Sequence, residues 1–368
     1  MPTSPAPADP ASYRALELLP GREAIVVLDQ RRLPHEVRYE RLCDCPSVAE
    51  SIADMQVRGA PLIGAAAACG YALGLQSRAD DAALDRWHAL LAATRPTAVN
   101  LRWALDRVRA VVAPCPPATR AERAWVEAEA IVAEDCAINH AIGRHGLDLL
   151  EAIARRRHGA PVRILTHCNA GALATCGWGT ATAPIFLAQQ AGMPLHVWVS
   201  ETRPRLQGAA LTAWELRERD IAHVLLADDA GAFLMQRGEV DIVLVGADRV
   251  TAGGDVCNKI GTYAKAVAAR DCGVPFYAAV PSPTLDFSIE DANAIPIESR
   301  SADELLRVAG LDADGSFTRA SIAPPGSPAL NLAFDLTPSR LVTGLLTERG
   351  RIDARRDALA AAFPERLG

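Results

Sequence analysis

From residue 24 the chain reads "AIVVLDQRRLPHEVRYE", two apolar stretches around a polar turn, and this predicts a small antiparallel sheet. The period then changes. Residues 47–57, 60–76, 80–94, 97–112 and 119–157 carry apolar positions at helical spacing among Ala, Leu, Arg and Glu, with the Pro-rich "APCPPA" of 113–118 as a break. Residues 1 to about 155 are therefore expected to form a mostly helical N-terminal domain, with 1–10 as a disordered arm. After the basic "ARRRHGAPVR" the texture becomes short apolar runs separated by helical segments: "RILTH", "PLHVWVS", "IAHVLLA", "VDIVLVGAD", "VPFYAAV" and "IPIE". That alternation predicts βαβ units and a doubly wound parallel sheet over 156–368, an α/β fold. In such sheets the site lies outside the carboxyl ends of the strands. Cys168, the "ETRP" of 201–204, Asp228 and Asp248 each follow a predicted strand and are expected at one crevice.

Length and charge narrow the function. A chain of 368 residues, half of them apolar, can fill two cores. A net charge of −6 argues against a general polyanion-binding surface, so nucleic acid is not an expected partner. Nine cysteines with no CxxC pair and no regular spacing point to reduced thiols in the cytosol, without a zinc site. The opening "MPTSPAPADP" lacks the basic start and apolar core of a signal peptide. The segment "APLIGAAAACGYALGL", 60–75, is too short for a bilayer and rich in Ala and Gly, so a packed interior helix is expected and no membrane association.

Candidate chemistry sits in four stretches. In "ILTHCNAGALATCG", 164–177, Cys168 falls between a strand ending at Thr166 and a helix expected near Gly171, where unpaired N–H groups would favour a thiolate; a small apolar residue filling a turn is the other reading. "LVGADRVTAGGDVCNKIGTYAKAVAA", 244–269, places Asp248 directly after an apolar strand, as a turn cap or as an acid. Its "TAGGD" offers glycines that let backbone approach a ligand, and Asn258 and Lys259 suit a phosphate or sugar hydroxyls. The dinucleotide fingerprint and the P-loop are both absent. "VRGAPLIGAAA" and "TRPTAVN" set Arg58, beside Gly59, and Arg95 ahead of helix starts, as anion sites or as plain surface cations. In "SETRPRLQGAALTAWEL", Arg203 and Gln207 flank the approach to a glycine, while Trp214 reads as core. His167, His196 and His223 read as hydrogen-bonded core histidines.

These motifs, with "RGAPLIG", "RPTAVNL", "THCNAGALAT", "GADRV", "NKIGTY" and "FDLTP" in this order, resemble the methylthioribose-1-phosphate isomerase family, which is similar in fold to regulatory subunits of the translation-initiation guanine-nucleotide exchange factor. The resemblance spans about residues 20 to 360. It implies a helical N-terminal domain, a Rossmann-like C-terminal domain, a homodimer, and isomerisation of an aldose 1-phosphate to a ketose 1-phosphate in methionine salvage, without metal or nucleotide cofactor. It also implies Cys168 and Asp248 as the catalytic pair, with Arg58, Gly59, Ala60, Arg95, Gln207, Asn258 and Lys259 touching the sugar phosphate. The chain departs from the family pattern at Leu62, at Ala210 where an arginine is usual, and in "NLAFD" at 331–335. Two further readings stay open. One is an isomerase of 5-deoxyribose 1-phosphate or ribose 1,5-bisphosphate, the latter expected to carry "GADA" where this chain has "GADR" at 246–249. The other is a non-catalytic subunit, expected to have "GAE" and no strand-end cysteine. Cations for one phosphate can be assigned near the site, a second set is not evident, and "APLIG" can supply an apolar wall for a 5-substituent.

Overall fold

The computed structural model describes Asp9 and residues 11–366. The arm expected at 1–10 lies outside the described residues apart from Asp9, which is buried; its carboxylate accepts from the Trp178 N–H at 2.8 Å and from Arg219 Nη2 at 2.7 Å. An antiparallel sheet opens the fold with strands β1 (Leu16–Leu18), β2 (Ile25–Leu28) and β3 (Tyr39–Leu42). The sequence pattern showed only two of them, since a three-residue strand with Glu17 at its centre leaves no alternation to see.

Five helices follow, α1 (Cys45–Ala53), α2 (Ala60–Ser77), α3 (Asp81–Ala92), α4 (Val99–Val112) and α5 (Pro117–Arg157), close to the predicted bounds. Helix α2 is buried on every side, as its composition predicts. Its glycines permit this: a Cβ on Gly64 would lie 2.8 Å from the Asn100 carbonyl oxygen of α4. Among the described residues no helix is long and apolar enough to cross a membrane. Helix α5 joins two cores. Trp125, Ala128 and Ile131 pack with α2, while Ile142, Leu150 and Ile153 pack against the large sheet.

That sheet contains β4 (Val162–Thr166), β5 (Leu195–Ser200), β6 (His223–Leu226), β7 (Ile242–Val245) and β10 (Phe276–Ala279), and it ends with β15 (Gly344–Thr347) and β16 (Gly350–Ile352). The order is β16-β15-β10-β7-β4-β5-β6, parallel except for β16. This is the doubly wound Rossmann-like order, with the reversal between β4 and β7, where Ile164 sits opposite Ile242. Helices α6 (Ala183–Gln190), α7 (Ala213–Arg217), α8 (Ala230–Gln236) and α9 (Thr262–Asp271) connect its strands. The α/β class expected from the sequence is the class observed.

A second sheet was not legible in the pattern. β8 (Arg249–Thr251), β9 (Val256–Lys259), β11 (Leu285–Asp286) and β14 (Phe334–Thr337) form it in the order β11-β8-β9-β14, and β12 (Arg307–Leu311) pairs with β13 (Phe317–Ser321) as a separate hairpin. Conversely, "IPIE" at 295–298 is irregular, because Pro296 removes a ladder donor; Ile295 is instead buried against Cys257.

Candidate active site

Cys168 lies two residues beyond β4 and Asp248 three beyond β7, at the point where the strand order reverses, and both line one pocket. The helix expected near Gly171 is absent. A single 3-10 turn, Ala172–Ala174, stands in a glycine-rich connection, and α6 begins only at Ala183, before Pro184. Cys168 therefore has no helix N-terminus beneath it. Instead it holds a left-handed backbone (φ 63), which a non-glycine residue keeps only where its surroundings fix it. The fixing groups are two threonines: the Cys168 N–H donates to Thr202 Oγ1 at 2.8 Å, and Thr212 Oγ1 donates to the Cys168 carbonyl at 2.6 Å.

Asp228 does not reach the pocket, contrary to the grouping drawn from strand ends. Its carboxylate accepts from the Thr202 and Arg203 N–H groups at 2.8 and 2.7 Å, so it holds the turn that holds Cys168. Arg203 also points elsewhere, to the Pro204 and Leu305 carbonyls. The glycine after Gln207 serves packing rather than ligand approach, since a Cβ on Gly208 would lie 1.7 Å from the Ser200 carbonyl oxygen. The "TAGGD" glycines likewise turn the β8–β9 hairpin, with Gly254 against Ala354. Ala210, in place of the expected arginine, packs half-buried on the core. Leu62 is buried in the core away from the pocket.

The remaining expected residues do converge: Arg58, Gly59, Ala60, Arg95, Gln207, Asn258 and Lys259 all line the pocket. Gly59 precedes α2 at φ 99, and a Cβ there would lie 2.5 Å from Ala174 Cα, so backbone shape and close packing both demand glycine. Asn258 and Lys259 lie on β9, not in a loop, and Asn258 Nδ2 donates to Thr262 Oγ1 at 3.0 Å. Pro61 and Ile63 add an apolar wall. His167 is neutral core, donating Nε2–H to the Ile260 carbonyl at 2.8 Å, and burial pushes its pKa down to about 3. His223 bonds the Ile221 carbonyl at 2.8 Å, whereas His196 has a buried Nε2 without a hydrogen-bond partner among the described residues.

Three pocket cations were missed in the sequence. Arg249 lines the pocket at the start of β8, and Arg205 and Arg300 line it from elsewhere in the chain, cations that were not evident in the sequence. The approach of Arg205 and Arg300 depends on the 296–306 segment folding back over the "ETRP" turn, which no local pattern encodes. Both are neutralised from behind: Arg205 pairs with Glu304 at 2.7 Å, and Arg300 with Glu304 at 2.8 Å and Glu298 at 2.7 Å. Burial alone would raise the Glu304 carboxyl, but Arg300 and Arg205 hold it down at about 2. Arg95 pairs with Glu298 at 2.9 Å, and Arg249 with Asp286 at 3.4 Å.

Among the described residues Arg58 and Lys259 remain without a carboxylate partner. Arg58 donates Nη1 to Asn169 Oδ1 at 2.5 Å and Nη2 to the Asn169 carbonyl at 2.8 Å. Lys259 is 6% exposed; its ammonium lies 5.3 Å from the centroid of the Phe334 ring and makes no hydrogen bond or ion pair among the described residues. Burial lowers its pKa, the mark of a charge held at a cost. Gln207 Oε1 and Arg95 Nε are buried in the same pocket without partners among the described residues. Removing Arg95 leaves Glu298 still bonded to Arg300, so Arg95→Ala is expected to raise KM about ten-fold with little change in kcat or melting temperature, read by steady-state kinetics and thermal unfolding.

Burial raises both central groups. For Asp248 it outweighs the nearby Lys259, Arg58 and Arg95, and the carboxyl shifts toward its protonated form. For Cys168 it outweighs Arg58 and Lys259, and the Asp248 charge adds to the rise. The populated thiolate expected from a helix start is thus reversed in the substrate-free site. Because the Asp248 carboxylate opposes the thiolate, a proton on Asp248 eases its loss from Cys168.

A Rossmann-like sheet whose switch point holds a thiol, a carboxyl and two unneutralised cations defines an α/β protein that handles a small anionic substrate. Residues 56–354 match the Initiation factor 2 subunit family. The chain belongs to this family and groups within it with the methylthioribose-1-phosphate isomerases. It is 56% identical over 346 residues to the methylthioribose-1-phosphate isomerase of Methylocella silvestris, covering 94% of each chain. Among solved structures it is similar to 5-methylthioribose 1-phosphate isomerase from Pyrococcus horikoshii OT3, with 39% identity, TM-score 0.82 and 96% of each chain covered. It is also similar to the delta subunit of translation initiation factor eIF-2B from A. fulgidus, with 34% identity, TM-score 0.79 and coverage of 96% of this chain and 100% of that one.

Proposed function

We propose that the protein is an aldose–ketose isomerase that converts 5-methylthioribose 1-phosphate into 5-methylthioribulose 1-phosphate in methionine salvage. The observation that carries this reading is the pair of buried cations without carboxylates, Arg58 and Lys259, beside Cys168 and Asp248. A phosphate dianion answers both cations, and its charge further favours the protonated Asp248. The 1-phosphate blocks ring opening through a free anomeric hydroxyl. Asp248 therefore donates its proton to the ring oxygen as the bond from C1 to that oxygen breaks; the hydrogen on C2 then moves to C1, and the C2 hydroxyl becomes the ketone by returning its proton to the Asp248 carboxylate. Cys168 either carries the C2 proton or supports a direct hydride shift; solvent deuterium at C1 of the product marks the first route. Gly59, Ala60, Arg95, Gln207 and Asn258 complete the substrate contacts in this reading. It also includes a homodimer and a cytoplasmic setting, the latter in keeping with nine cysteines that are all free.

The second reading, an isomerase of ribose 1,5-bisphosphate, is favoured by Arg205 and Arg300 in the pocket wall. Their pairing with Glu304 and Glu298 weighs against it, because a second phosphate would have to displace those carboxylates. The Pro61 and Ile63 wall suits a methylthio group instead. An apolar wall discriminates loss of that group by only about 1–3 kcal/mol, so 5-deoxyribose 1-phosphate should be turned over more slowly but measurably. The test is kcat/KM for the three sugars side by side. A preference for the bisphosphate would overturn the substrate assignment; no turnover of any, with tight binding to a translation factor, would overturn the enzyme reading.

A further inference from the structure

Behind Arg58 lies a buried polar chain that the proposed chemistry does not use. Glu215, on α7, is fully buried. Its Oε1 accepts from the Tyr13 hydroxyl at 2.9 Å and the Leu173 N–H at 2.8 Å, and its Oε2 accepts from Asn169 Nδ2 at 2.6 Å. Gly171 leaves the room, since a Cβ there would lie 1.8 Å from Glu215 Oε2. Asn169 Nδ2 also donates to Thr212 Oγ1 at 3.2 Å, and Thr212 has already given its own proton to the Cys168 carbonyl. Two acceptors therefore claim the amide nitrogen of Asn169, and its oxygen is left facing Arg58, which can only donate.

We propose that Glu215 is a positioning residue for phosphate recognition: it fixes the amide of Asn169 so that its Oδ1, with the Asn169 carbonyl, clamps the Arg58 guanidinium toward the pocket. Tyr13, just ahead of β1, braces Glu215 across more than 200 residues of sequence. The inference rests on the reading of the pocket as a phosphate site. A glutamine at 215 has the same shape but must present an NH2 group to Asn169 or to Leu173 N–H, both donors. If Asn169 flips to answer it, its own NH2 faces Arg58 and the clamp opens.

The test compares wild type, Glu215→Gln, Arg58→Ala and the double variant by KM and kcat for 5-methylthioribose 1-phosphate, by Kd for inorganic phosphate from calorimetry, and by melting temperature. Glu215→Gln is expected to raise KM and the phosphate Kd about ten-fold, with kcat within about three-fold, and to add less than about two-fold in the Arg58→Ala background. Wild-type KM and Kd in Glu215→Gln, or an effect that multiplies in full with Arg58→Ala, would overturn it. Should Glu215→Gln fail to fold, Tyr13→Phe carries the same comparison, with a rise of about two-fold to three-fold that again disappears without Arg58. A wild type that binds phosphate with this Arg58-dependent coupling yet turns over none of the sugars would sustain the clamp and overturn the proposed substrate.

Discussion

Asp248→Asn should lower kcat by about three orders of magnitude while the melting temperature stays at the wild-type value, because the loss of a positioned general acid costs about 10²–10⁴-fold. Asparagine keeps the shape and cannot supply the proton. Nor does the substitution break a structural bond: the Asp248 backbone N–H still donates to the Cys257 carbonyl, and its carboxylate has no hydrogen-bond partner among the described residues. Cys168→Ala should fall by a similar factor, its backbone still held by Thr202 and Thr212. Turnover within ten-fold of wild type in either variant, in a protein that melts normally, would remove that residue from the chemistry.

Lys259→Met is expected to lower kcat/KM by about two orders of magnitude, from loss of a charge-assisted contact to phosphate, and to raise the melting temperature of the substrate-free protein. The two effects have one cause. Lys259 is a buried cation that no carboxylate among the described residues pairs with, which costs stability without substrate and strengthens binding with it. Its charge also lowers the pKa of both Cys168 and Asp248, so its removal raises both. On the proton-transfer route activity needs the thiolate, which is lost as pH falls, and the protonated acid, which is lost as pH rises. Both limbs of the kcat/KM–pH profile should therefore move to higher pH. An unchanged profile, or a lower melting temperature with unchanged KM, would show that Lys259 is structural.

The periodicity of the chain by itself determined the five N-terminal helices, the buried character of α2, the alternation of strands and helices beyond residue 160, and the presence of a thiol and a carboxyl at strand ends. These are local matters of spacing, capping and Gly or Pro content, and a one-dimensional pattern carries them. The resemblance of the motifs added the roles proposed for Cys168 and Asp248. Only the tertiary structure decided that β4 and β7 are neighbours, since strand order is a non-local choice, and that choice brings residues 168 and 248 to one pocket. It also decided charge. Arg58, Arg95, Arg205, Arg249, Lys259 and Arg300 look alike in sequence, yet carboxylates distant in sequence neutralise Arg95, Arg205 and Arg249, local ones neutralise Arg300, and among the described residues none reaches Arg58 or Lys259, which are left to bind an anion. Likewise the thiol shift that a helix start would impose on Cys168 is reversed by burial, because desolvation depends on what packs around a group in three dimensions and not on the residues beside it in the chain.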